Sequence, residues 1–145
     1  MSDFRTITET MLASPQITLE DVAEAKARGV TLIINNRPEG ESYDQTPGDA
    51  IAAAAKAAGI GYCTIPITHA GFSEPQVDAM IDALEGANGK VLAYCRSGTR
   101  STLLWSLAQA KRGMEPDEIA RLAGNAGYDI SPVRHTIEML AAQAG

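Results

Sequence analysis

The sequence predicts an α/β fold of three layers, a mainly parallel sheet of four to five strands flanked by helices. Three observations carry this reading. Short β-branched runs alternate with segments of helical period along the chain. The run "VTLIIN" (30–35) is apolar without alternation, as a strand covered on both faces is. Helices open on capping residues and close on glycines.

Each element follows from local signals. "FRTITETMLASPQ" is a loose N-terminal segment with room for a short strand or two. Thr18 and Asp21 stand in capping-box spacing before a helix that carries Leu19, Val22 and Ala23 on one face and ends at Gly29. After "VTLIIN" comes the polar loop "NRPEGESYDQ". Thr46, Pro47 and Asp49 then open an alanine-rich helix that stops at Gly59. "YCTIPI" is the next strand. Ser73 and Gln76 cap a helix with Val77, Met80, Ile81 and Leu84 at i, i+3, i+4 and i+7. The turn "EGANGK" leads to the strand "VLAYC" and a helix from Ser101 to about Arg112. Two more helices follow, one with Ile119, Leu122 and Ala123, the other opened by "SP" and carrying Val133, Ile137, Leu140 and Ala141. The 145 residues form one expected domain, 1–145, without repeats or linkers.

Composition narrows the function. With 45% hydrophobic and 21% charged residues the chain is globular, and no apolar run approaches the ~18 residues of a membrane helix. Its start lacks the basic and apolar blocks of a signal peptide, which predicts a cytoplasmic protein. Twelve basic against eighteen acidic residues give a net charge of −6, unfavourable for nucleic acid or anionic membranes as partners. An anionic substrate therefore needs local positive charge. Oligomeric state is left open.

Such charge stands in "YCRSGTRS" (94–101), where a strand gives way to a helix. In parallel sheets, sites form at the carboxyl ends of strands. A helix start leaves N–H groups unpaired and carries partial positive charge, Gly98 allows a tight curl, and Arg100 adds a full charge. These surroundings favour the thiolate of Cys95 and can hold an oxyanion beside it. The competing reading is a buried structural cysteine at an ordinary turn. Cys63, inside "YCTIPI" with no nearby Gly or Arg, reads as plain core.

"YCRSGTRS" resembles the active-site loops of two related enzyme groups. Cysteine-based protein phosphatases carry His-Cys-x5-Arg-Ser/Thr, and rhodanese-type sulfurtransferases often read Cys-Arg-x-Gly-x-Arg-Ser. Here the spacing from Cys95 to Arg100 is Cys-x4-Arg, one residue short of the phosphatase rule, and Tyr94 stands where the phosphatase histidine would be. The remaining segments, "GVTLIINNRPEGE", the helix after it, "GIGYCTIPI" and "EPQVDAMIDAL", follow the order of dual-specificity phosphatases. The rhodanese Gly-His-Ile-x-Gly-Ala segment does not occur. With its "NNRPEGE" and "CRSGTRS" segments, nearly the whole chain resembles the bacterial beta-lactamase-hydrolase-like, phosphatase-like domains.

The resemblance implies a cysteine-phosphatase-like fold and a phosphorylated or other small anionic substrate. It also implies Cys95 as nucleophile, Arg100 and the loop amides from Arg96 through Ser97, Gly98 and Thr99 to Ser101 around the anion, and the Ser101 hydroxyl stabilising the departing thiolate. Phosphatases of this type place an aspartate acid after the strand matching "YCTIPI". "THAGFSEPQ" has none nearby, so His69 is the candidate proton donor, and slow turnover of unactivated esters is expected. Glu74 falls in a helix's first turn, where acids are favoured by the dipole alone. Arg37 either binds substrate or pairs with a neighbouring carboxylate, and Arg96 is expected to point outward. His69, His135 and the two cysteines lack metal-ligand spacing, and no nucleotide loop occurs, so no metal or other cofactor is expected. The leading expectation is a phosphatase-like hydrolase. The alternatives are a rhodanese-like sulfurtransferase with a Cys95 persulfide, suggested by loop length, and an inactive phosphate-binding module.

Overall fold

In the computed structural model, which describes residues 2–144, five strands form one sheet. They are β1 (Arg5–Thr8), β2 (Met11–Ser14), β3 (Val30–Asn35), β4 (Gly61–Thr64) and β5 (Lys90–Tyr94). Their spatial order is β1-β2-β5-β3-β4; β1 pairs antiparallel with β2, and every other pairing is parallel. The helices are α1 (Leu19–Ala27), α2 (Gly48–Ala57), α3 (Glu74–Gly86), α4 (Thr99–Lys111), α5 (Pro116–Asn125) and α6 (Arg134–Ala144). None among the described residues is long and apolar enough to cross a membrane.

Strand alternation divides the core into two layers. Leu12, Ile33, Leu92 and Tyr94 face Val22, Ala25, Ile51 and Ala55 of α1 and α2. Met11, Ile34, Val91 and Ala93 face Met80, Leu104, Trp105, Ile119 and Ile137 of the other helices. Burying each aliphatic side chain contributes about 1.5–3 kcal/mol relative to exposure. Helix α4 lies at the centre of this second layer, with Ser101 to Ala108 buried without interruption. Two of its buried hydroxyls are satisfied by the helix's own backbone: Thr102 Oγ1 donates to the Gly98 carbonyl at 2.9 Å and Ser106 Oγ to the Thr102 carbonyl at 2.8 Å.

The expected elements form, with instructive differences. Both capping boxes are present, Thr18 with Asp21 and Ser73 with Gln76. The buried face of α1 is Val22 and Ala25, while Leu19 is 49% exposed and Ala23 is exposed, because a nine-residue helix at the margin needs only a narrow apolar stripe. The "YCTIPI" strand is shorter, Gly61–Thr64, and beyond it the N–H groups of Ile65 and Ile67 still donate to the carbonyls of Asn35 and Asn36. Helix α4 starts at Thr99 rather than Ser101. Gly98 has φ +92°, a left-handed conformation that turns the chain into the helix two residues early. "SP" forms a 3-10 turn, Ser131–Val133, ahead of α6.

Tyr94 points into the α1–α2 layer and is 1% exposed. Burial pushes its phenol far above the ordinary range. Its hydroxyl has no hydrogen-bond partner of acceptable geometry among the described residues, although Tyr62 is close enough to oppose its ionisation. A buried unpaired hydroxyl costs about 1–3 kcal/mol. Tyr94→Phe is therefore expected to leave the Tm unchanged or raise it; a clear fall in thermal denaturation would mean that the hydroxyl is paired.

Candidate active site

The parallel register brings four strand ends to one edge. Cys95 N donates to the Ser14 carbonyl at 3.3 Å, Asn36 N to the Tyr94 carbonyl at 2.8 Å, and Gln16 N to the Arg96 carbonyl at 3.2 Å. The segments after β2, β3, β4 and β5 therefore converge where β5 passes into α4.

Cys95 is fully buried at the base of this junction. The Gly98 N–H donates to its Sγ at 3.1 Å, closing a turn over the sulfur. Because α4 begins at Thr99, Arg100 and Ser101 lie in its first turn; their N–H groups, with those of Arg96 and Ser97, have no acceptor among the described residues. Ser97 Oγ donates to Thr99 Oγ1 at 3.0 Å and accepts from the Thr99 N–H at 3.4 Å, bracing the outer side of the curl. Arg96 is exposed.

Arg100 is aimed from two directions. Its Nη1 donates to Glu41 Oε2 at 2.7 Å and to the Ile67 carbonyl at 2.7 Å, and its Nη2 to Glu41 Oε1 at 2.8 Å. A guanidinium has five N–H groups, so Nε–H and the second Nη2 hydrogen remain, with no acceptor assigned among the described residues. These two hydrogens lie on one edge of the fork, the geometry that takes two oxygens of one anion. The Glu41 carboxylate raises the Arg100 pKa, and the nearby Cys95 sulfur adds to the rise.

Glu41 also accepts from Arg37 Nε at 2.9 Å. Arg37 is 4% exposed, and its other donors go to Gln16 Oε1 at 3.0 Å and Ser42 Oγ at 3.1 Å. Arg37 thus pairs with a neighbouring carboxylate. Held first by Arg100 and then by Arg37, against the opposing effect of burial, Glu41 has its pKa lowered to about 2. Glu39 is drawn elsewhere, accepting from Gly48 N at 3.0 Å at the start of α2.

Ser101 Oγ donates to Asn36 Oδ1 at 2.7 Å, and Asn36 Nδ2 donates to the Ile65 carbonyl at 2.9 Å, all in buried surroundings. The serine hydrogen thus faces an amide oxygen rather than the sulfur. His69 lies in an exposed turn two residues beyond Ile67, the residue whose carbonyl holds Arg100. Cys63 is half-buried, and burial pushes its thiol up. Three contributors have no role that the sequence assigns: Glu41, Asn36 and Tyr128, whose hydroxyl donates to the Ser97 carbonyl at 3.1 Å. Glu41 and Asn36 belong to the conspicuous "NNRPEGE" segment, whereas nothing in the local pattern marks Tyr128.

This arrangement has relatives. The Beta-lactamase hydrolase-like protein of Xylella fastidiosa (strain 9a5c) is 33% identical over 138 residues, covering 94% of this chain; the chain spans 32% of that protein's length. A candidate phosphatase from Neisseria meningitidis has a solved structure with a TM-score of 0.85 and 32% identity, covering 97% of this chain and 99% of that one. Pseudomonas aeruginosa TpbA, solved in complex with phosphotyrosine, shares the fold at a TM-score of 0.69 and 14% identity, covering 98% of this chain and 90% of that one. The architecture is thus the cysteine-phosphatase fold. Residues 3–112 match the family described as Beta-lactamase hydrolase-like protein, phosphatase-like domain, and to that family the chain belongs.

Proposed function

We propose that the chain hydrolyses phosphoric monoesters through Cys95. The observation that carries this reading is the pairing of a sulfur that accepts the Gly98 N–H with an arginine whose Nε–Nη2 edge is left for an anion. The Gly98 N–H donor, the start of α4 and Arg100 gather positive charge around the sulfur, and a thiolate is the form of a cysteine that attacks. That phosphotyrosine is bound by TpbA, on the same fold, supports an anionic phosphoester as substrate.

In the first step the thiolate attacks phosphorus. An S–P bond forms, the P–O bond to the leaving group breaks, and the leaving oxygen takes the electron pair. Two equatorial oxygens rest on the free edge of Arg100, and the unpaired amides of the curl meet the remaining charge. In the second step water attacks phosphorus, the S–P bond breaks, and inorganic phosphate leaves. Glu41 orients Arg100 throughout. At neutral pH it is ionised and held by two arginines, so it is not the acid that protonates the leaving group. His69, on the turn beside the arginine's carbonyl anchor, takes that role for leaving groups that need a proton. Arg37 acts as a positioning residue for Glu41.

Sulfur transfer is the second reading, favoured by the Cys-x4-Arg spacing, which gives the curl one amide fewer than the phosphatase loop. The two part in one experiment: the purified protein is assayed with p-nitrophenyl phosphate and, separately, with thiosulfate plus cyanide. Phosphate release lost in Cys95→Ser is expected. Thiocyanate production without phosphate release would overturn the assignment, and neither activity would favour a phosphate-binding module.

Leaving-group dependence tests the acid. His69→Ala should barely change p-nitrophenyl phosphate turnover, because that phenolate departs unprotonated, and should slow an alkyl phosphate roughly tenfold or more, within the range of general acid catalysis. Equal effects on both would remove His69 from the mechanism.

Glu41→Gln should cut phosphatase activity at least about tenfold, since Arg100 loses its charged anchor, and should lower stability. Breaking a buried ion pair from one side costs about 3–5 kcal/mol, and the partial exposure of Glu41 puts this case toward the lower end. The pH profile has a definite sign. A carboxyl lowered from 4.5 to about 2 stabilises the fold fully above pH 4.5 and loses that contribution as pH falls toward 2. Denaturation followed between pH 6 and 2 should show a fall in wild-type stability that is smaller in Glu41→Gln; parallel curves would contradict the pairing.

A further inference from the structure

The curl over Cys95 depends on the orientation of one peptide unit, between Ser97 and Gly98. Its N–H points at the Cys95 sulfur, with Gly98 N to Sγ at 3.1 Å. Its C=O points the other way, and the Tyr128 hydroxyl donates to that Ser97 oxygen at 3.1 Å. Because a trans peptide is planar, its C=O and N–H are antiparallel and turn together. Whatever holds the oxygen outward holds the hydrogen inward. A flip of this unit would aim a carbonyl oxygen at the thiolate and replace a donor with a repelling dipole.

We infer that Tyr128, on the segment after α5, is a positioning residue that locks the Ser97–Gly98 peptide with its N–H toward Cys95; this rests on the anion-loop reading given above. Several observations support the lock. Tyr128 is 8% exposed, and burial raises its phenol, so the hydroxyl stays a donor at neutral pH. Cys95 is close enough to act on it electrostatically. The Arg5 guanidinium lies 5.3 Å over the ring centroid and fixes the ring from β1. A Cβ on Gly98 would collide with the hydroxyl and lie 2.9 Å from Tyr128 Cζ, so glycine is required here by contact as well as by φ. Tyr128 also stands beyond residues 3–112, the part that matches the family. The C-terminal segment thus completes a loop that the matched part carries.

The test uses the Gly98 amide resonance in ¹⁵N-labelled full-length protein, which reports the N–H···S bond without turnover. Cys95→Ala calibrates it, moving the signal as the sulfur acceptor is lost. Tyr128→Phe keeps the ring and removes only the oxygen. It should move the Gly98 amide in the same direction as Cys95→Ala and weaken inorganic phosphate binding about fivefold or more, with both proteins folded by their dispersed spectra. An unmoved Gly98 resonance in Tyr128→Phe would overturn the lock, whatever the enzyme's activity. Absence of phosphate binding in the wild type would instead count against the anion-loop reading, and the Gly98 signal would still decide the role of Tyr128.

Discussion

Two arginines from different elements share the carboxylate of Glu41, and the geometry of the site depends on that sharing. Arg37 is almost wholly buried, so its charge needs a partner in the same low-dielectric surroundings. Glu41 provides it while its other contacts hold Arg100 at the start of α4. One anion thus pairs with a buried cation and aims a second one beside Cys95. It also spends three of the five Arg100 donors, counting the Ile67 carbonyl, and leaves a two-hydrogen edge. A lysine could not substitute at position 100, because a single ammonium has no second edge to offer.

The scaffold makes such sharing possible. β5 lies between β2 and β3, so the segments that follow these strands meet side by side, and β4 adds its own next to β3. α4, packed on all sides, fixes the curl at its N-terminus as a rigid platform would. Even its polar side chains are committed: Ser101 to Asn36, Thr102 and Ser106 to the helix's own carbonyls. The hydroxyl that the phosphatase resemblance assigns to the leaving thiolate is, in the resting structure, part of this internal bracing.

The site is strong in anion-holding groups and sparse in proton donors. The carboxyl nearest Arg100 is pinned as an anion, and the segment after β4 offers a histidine on an exposed turn in place of an aspartate. On the proposed mechanism, binding and nucleophilic attack are therefore better provided for than leaving-group protonation. This imbalance follows from charge pairing: a carboxylate shared by two guanidinium groups cannot also keep a proton near neutrality.

Much of this was legible in residues 94–101 and in the alternation of strand and helix signals. Local rules sufficed wherever the cause is local. The capping boxes at Thr18 and Ser73, the buried run 30–35 and the strand-to-helix junction at Cys95 are set by propensities and by orphan backbone groups within a few residues. α4 starts two residues ahead of Ser101 because a left-handed Gly98 turns the chain early, which local propensities do not mark. The remaining features involve partners far apart in the chain. Arg100 meets Glu41 across 59 residues, Ser101 meets Asn36 across 65, and Tyr128 meets Ser97 across 31. Each is a long-range pairing whose favourable energy exists only once the sheet has brought the strand ends together. Residues 94–101 alone mark the nucleophile candidate and the kind of loop that carries it; the fold sets which side chains hold that loop in shape, because complementary charge and hydrogen bonding depend on distance in space, not on spacing along the chain.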